Sequence, residues 1–157
     1  MSEALELAVL MGGGTREHEV SLETGTAVAD ALARLGHRVR RVELALPAVD
    51  AILEGVRGVD AVFVALHGGA GEDGRVQAVL DLARIPYVGS EPGPSAVAMD
   101  KVWTKRIARE LGLPVTREVV LAPTANADTV RRAAADLGGH VALKPTAEGS
   151  AVGVHLC

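Results

Sequence analysis

LAVLMGGGTREHEVSLETG, residues 7–25, decides how the chain folds. Five apolar residues run unbroken into three glycines, and a helical pattern follows. A short unbroken apolar run reads as a strand buried on both faces, the form that strands take in a parallel sheet. Gly12, Gly13 and Gly14 let the backbone turn with φ > 0 and come close to a ligand, because glycine has no Cβ. The helix start that follows offers free N–H groups and partial positive charge. Glu17 and Glu19 attract cations instead. A site holding both signs suits a zwitterion, such as a free amino acid. On these residues alone, the glycines also read as a tight turn and Glu17 as an acid favouring the helix start.

Working outward, Ser21 caps a helix over 21–35 with Val28, Ala31, Leu32 and Leu35 on one face and Gly36 as its stop. Alternation of Val39, Val42 and Leu44 predicts a strand over 38–46, and 49–53 a short helix. AVFVALHGGAGEDG, residues 61–74, again runs an apolar strand into glycines. A helix over 75–83 and a strand over 86–88 follow. Strands alternating with helices indicate a parallel α/β sheet. Ligands of such sheets sit beyond the carboxyl ends of the strands, so the two glycine-rich loops point at one crevice. Between them they carry Glu17, His18, Glu19, His67, Glu72 and Asp73, which tight turns do not require.

GSEPGP, residues 89–94, is a break rich in turn residues, and the chain divides near residue 93. Beyond it the pattern predicts a helix over 95–111, a strand over 119–121, a helix over 127–137 and a strand over 141–144. LKPTAEGSAVGV, residues 143–154, sets Lys144 at a strand end ahead of Gly149, Ser150 and Gly153. Backbone N–H groups in such a loop can surround phosphate oxygens, with the lysine as a compact cation. The lysine precedes the glycines, so this is no P-loop, and no GxGxxG follows the first strand. Lys101 and Lys105 share a helix face, which also reads as a solvated face. Trp103 reads as helix packing.

Composition bounds the rest. Hydrophobic residues make up 48% of the 157 and aromatic ones 2%, so the core is built from Leu, Val and Ala. Net charge is −4, unlike a basic nucleic-acid footprint, and no nucleic-acid partner is expected. One cysteine, Cys157, excludes an internal disulfide and fits a reducing compartment. No apolar run approaches the roughly 20 residues that span a bilayer, and the first eleven residues lack a signal-peptide pattern. A cytoplasmic protein with no membrane partner is the expectation.

Four stretches together resemble the ordered motifs of D-alanine–D-alanine ligases: GGGTREHEVSLETG, ALHGGAGEDGRVQAVLDLARIPYVGS, SAVAMDKVWTKRIARELGLPV and LKPTAEGSAVGV. The resemblance runs from about residue 7 to 154. It implies a Rossmann-like parallel-sheet N-terminal domain over 1–93, which binds substrate, followed over 94–157 by the start of an ATP-grasp α+β domain that stops short. It implies ATP-dependent joining of two D-alanines for peptidoglycan synthesis, through an acyl phosphate. Glu17 matches the glutamate holding the first D-alanine's ammonium, and His67 the histidine beside the reacting carboxyl. Ser150 matches the serine of the same network near the second substrate. Lys101 and Lys144 match two ATP-phosphate lysines, and Glu148, Gly149, Ser150, Ala151 and Gly153 lie in the loop that closes over the phosphates. Ala151 replaces a second serine common in that loop, and Ala147 stands where a larger residue is usual. Magnesium accompanies ATP in the family, with ligands downstream of Cys157, so no metal ligand is assigned in this chain. Related ligases suggest a homodimer. The chain reads as a fragment; the competing readings are a truncated, non-catalytic amino-acid-binding remnant and another ATP-grasp ligase.

Overall fold

A computed structural model describes residues 3–157. The chain forms two compact units, Met1–Ala96 and Val97–Cys157. In the first, β1 (Glu6–Gly12), α1 (His18–Arg34), β2 (Arg38–Leu44), α2 (Val49–Gly55), β3 (Ala61–Val64), a 3-10 turn (Gly69–Gly71), α3 (Arg75–Leu82) and β4 (Tyr87–Val88) alternate as the sequence predicts. The strands are all parallel, in the order β2-β1-β3-β4. Because β1 is central, Leu7 lies beside Val39 of β2 on one side and Ala61 of β3 on the other.

That central place explains the unbroken apolar run. Side chains alternate across a strand, and here both faces are covered. Ala8 and Leu10 join Ile52 and Val56 below α2, and Val76 and Leu80 of α3. Val9 and Met11 face Ala29 and the flanking Leu22, Val28 and Leu32 of α1. Ala8, Val9 and Leu10 have no exposed surface. Full burial of a side chain such as Leu10 contributes about 1.5–3 kcal/mol. The result is a doubly wound sheet, the α/β class read from the sequence.

Ser21 is not a cap. α1 begins three residues earlier, and Ser21 lies inside it with no exposed surface. Its Oγ accepts from the Gly12 N–H at 2.8 Å and donates to the Ala65 carbonyl at 2.7 Å. A serine ahead of an apolar repeat does look like a cap, but here two strand ends supply partners that the local sequence does not reveal.

The helix expected over 95–111 is two helices. α4 (Pro92–Met99) starts inside the predicted break, since proline is tolerated in a helix's first turn, where its missing N–H has no intrahelical acceptor. α5 (Lys101–Glu110) begins anew because the Asp100 carboxylate caps it, accepting from the N–H groups of Val102 at 2.8 Å and Trp103 at 3.1 Å. The second unit continues with α6 (Ala127–Asp136), capped by Asn126, and an antiparallel pair, β5 (Ala142–Leu143) and β6 (His155–Leu156). No strand forms over 119–121: Val119 and Val120 are exposed, and without a neighbour to pair with, a β-prone run makes no ladder. Trp103 is not packed as expected but half exposed, with the Arg106 guanidinium 5.0 Å from its ring centre. Glu118 is held by Lys105 at 3.0 Å and Arg109 at 2.7 Å. Among the described residues no helix is long and apolar enough to cross a membrane.

Candidate functional site

In an open parallel sheet, the crevice opens where successive connections leave a strand in opposite directions. Here that point lies between β1 and β3, because the chain leaves β1 for β2 on one side and returns to β3 on the other. The glycine loop after β1 and the HGGAGEDG loop after β3 both emerge there.

Hydrogen bonds tie the two loops. The Thr15 hydroxyl donates to the His67 carbonyl at 2.9 Å and accepts from the Glu17 N–H at 3.1 Å. The Glu17 side chain reaches the other loop: a Cβ added to Gly68 would come within 2.7 Å of its Oε2. Gly68 also holds φ at 67°, where an L side chain is strained. Glycine is therefore needed at 68 twice over, for its backbone angle and for the carboxylate resting on it. Gly12 is similar, with φ at 90° and the Leu44 carbonyl 2.7 Å from where a Cβ would stand.

His67 is partly buried and contacted at both ring nitrogens. Its Nε2 lies 3.1 Å from the Thr24 hydroxyl on α1, and its Nδ1 lies 3.8 Å from Glu72 Oε1. Around it, Asp73 accepts from the Arg75 N–H at 3.1 Å, and buried Gln77 donates to the Gly71 carbonyl at 2.8 Å, which braces the loop. His18 Nδ1 accepts from the Gly14 N–H at 3.4 Å. Glu17 and His67 thus stand on adjoining loops that touch. A carboxylate and an imidazole so placed can engage an ammonium group and a neighbouring carboxyl.

The other candidate residues lie in the second unit. Lys101 opens α5, and its N–H donates to the Thr146 carbonyl at 2.9 Å. Its ammonium donates to the carbonyls of Thr146 and Glu148, so Lys101 clasps the loop that follows β5. Lys144 is exposed directly after β5. Gly149, Ser150, Ala151 and Gly153 form a tight reversal, with Val152 N–H on the Gly149 carbonyl at 2.9 Å. Ser150 and Ala151 hold φ at 47° and 58°. Such angles cost non-glycine residues of order 1–3 kcal/mol each. Among the described residues no group of three or more His, Cys, Asp or Glu side chains gathers as a metal site would.

Thr15, Gly68 and Thr24 are the members of the crevice that sequence reasoning passed over. Their signal was present only as hydroxyls and a glycine inside motifs already singled out for their charged residues.

The fold and the crevice define a class: an α/β domain with two loops meeting where its strand order reverses. The sequence profile described as D-ala D-ala ligase N-terminus matches residues 48–90. The D-alanine–D-alanine ligase of Anaeromyxobacter dehalogenans strain 2CP-1 is 47% identical over 150 residues, covering 96% of this chain and 48% of that protein. The ligase of Marinomonas sp. strain MWYL1 is 40% identical over 163 residues, covering 99% and 50%. Among solved structures, the D-alanine–D-alanine ligase of Bacillus anthracis superposes with a TM-score of 0.84 at 32% identity, over 98% of this chain and 49% of that one. The same Bacillus ligase complexed with ATP gives 0.82 at 30% identity, over 98% and 51%. The chain belongs to the D-alanine–D-alanine ligase family and corresponds to its N-terminal half. It spans about half the length of the curated relatives it matches.

Proposed function

We propose that this chain forms the amino-acid-binding domain and the first part of the ATP-grasp domain of an enzyme that joins two D-alanines at the expense of ATP, for peptidoglycan synthesis. Residues 1–93 are the substrate domain and 94–157 the start of the ATP-grasp domain. The observation that carries the reading is the Glu17 carboxylate lying on Gly68 beside His67, at the strand-order reversal of a ligase-like sheet.

In this reading Glu17 holds the ammonium of the first D-alanine, leaving its carboxylate toward His67. A carboxylate oxygen attacks the γ-phosphorus of ATP, and ADP leaves. The amine of the second D-alanine then attacks the acyl carbon and gives up a proton, and phosphate departs with the oxygen that attacked. Positive charge near the phosphates stabilises the transferring group. Lys144 supplies it directly. Lys101 fixes the loop through its carbonyl contacts and adds its own charge. Glu148, Gly149, Ser150, Ala151 and Gly153 fold that loop over the phosphates, and Ser150 serves the second D-alanine. The enzyme works in the cytoplasm, on small molecules, as a homodimer.

The acyl-phosphate route has a direct test in the complete protein. With D-alanine carrying oxygen-18 in its carboxylate, one labelled oxygen per turnover passes into inorganic phosphate. Phosphate free of label would overturn the route.

A further inference from the structure

Thr24 contacts the His67 ring, and the reaction above gives it no role. It sits on α1, its hydroxyl 3.1 Å from His67 Nε2. A threonine hydroxyl has a single proton and two lone pairs. Here the hydroxyl also lies 2.9 Å from the Val20 carbonyl, one helical turn back, in donor geometry. A carbonyl can only accept, so the proton goes there, the usual back-bond of a mid-helix threonine. What remains toward His67 is a lone pair, and Nε2 must donate to it. On the far side of the ring, Nδ1 faces Glu72 Oε1 at 3.8 Å, too long for a hydrogen bond that would hold a proton on Nδ1 instead.

We propose that Thr24 is a positioning residue that fixes neutral His67 as its Nε2–H tautomer and leaves the Nδ1 lone pair on the Glu72 side. The ring cannot turn over without breaking the contact with Thr24. Since the second nitrogen's partner decides what the first can do, neutral His67 then has an acceptor at Nδ1, suited to the proton that the attacking amine sheds. This consequence for catalysis rests on the function proposed above; the tautomer does not, and is read without substrate.

The test is nitrogen-15 spectroscopy on the 157-residue chain labelled at histidine, at a pH where the ring is neutral. The His67 signals are identified by their loss in His67→Gln. The native protein is expected to show Nε2 as the protonated nitrogen and Nδ1 as the bare one, without averaging between tautomers. Thr24→Val, which keeps the shape and removes the hydroxyl, should move both signals toward the averaged values of a free imidazole, and Thr24→Ser should restore the native pair. Protonation at Nδ1 in the native chain would overturn the assignment. Native signals that persist in Thr24→Val would remove Thr24 as their cause. Failure of the ligase reading would show instead as absent D-alanine chemistry with the tautomer intact.

Discussion

Ser21→Ala is the substitution whose cost the structure states most directly. The Ser21 hydroxyl joins the ends of β1 and β3, accepting from Gly12 at 2.8 Å and donating to Ala65 at 2.7 Å, with no exposed surface. Alanine fits the same space but removes both bonds. It leaves a buried N–H and a buried carbonyl without that partner, at about 1–3 kcal/mol for each group. Some relaxation or an admitted water reduces the sum, so we expect a loss of about 2–4 kcal/mol. A substitution on an ordinary surface stays within about 0.5 kcal/mol. Urea unfolding of the 157-residue chain, native against Ser21→Ala, reads the difference as a shifted midpoint with unchanged slope. Ser21→Thr, which keeps the hydroxyl but adds a methyl group at a site with no exposed surface, separates the bonds from the packing. A Ser21→Ala loss below about 0.5 kcal/mol would refute the reasoning, because the hydroxyl would then be a spectator.

Two further predictions concern the second unit. Burial pushes the Glu118 carboxyl up, but hydrogen bonds and charge from Arg109 and Lys105 outweigh it and hold it below the usual range. A carboxyl lowered by folding contributes stability above its unfolded value, and that stability is lost as pH falls through the folded one. The native chain should therefore lose stability below about pH 4.5 more steeply than Glu118→Gln, as thermal melts across pH 3–7 would show; parallel profiles would contradict it. In the complete enzyme, Lys144→Ala removes a charge-assisted phosphate contact of about 1.5–3 kcal/mol, and should raise the KM for ATP about 10–100-fold while leaving the KM for D-alanine little changed. An unchanged KM for ATP would remove Lys144 from the phosphate site.

The sheet was legible because its signals are local. The unbroken 7–11 run and the 61–66 run say that both faces are covered, and glycines mark where each strand ends. What the sequence hid is non-local. Ser21 reads as a cap until the strand ends at Gly12 and Ala65 are seen to claim its hydroxyl. The break at Asp100 was hidden by apolar residues that suit one long helix as well as two. Val119 and Val120 are β-prone, but a strand needs a neighbour, and none lies beside them. In the crevice, Glu17 and His67 stood out by residue type and motif. Thr15 and Thr24 did not, because a hydroxyl acquires meaning only through the partner that the fold brings to it.

The central claim is that Glu17 presents D-alanine to ATP. Its most direct test is ADP formation by the complete protein, measured against D-alanine concentration for the native enzyme and Glu17→Ala. The account predicts ADP release that requires D-alanine and is not supported by L-alanine. It predicts that Glu17→Ala lowers kcat/KM for D-alanine about 10–100-fold, the loss of one charge-assisted contact of about 1.5–3 kcal/mol, with ATP affinity unchanged. ATP hydrolysis indifferent to D-alanine, or equal losses toward ATP and D-alanine in Glu17→Ala, would contradict it.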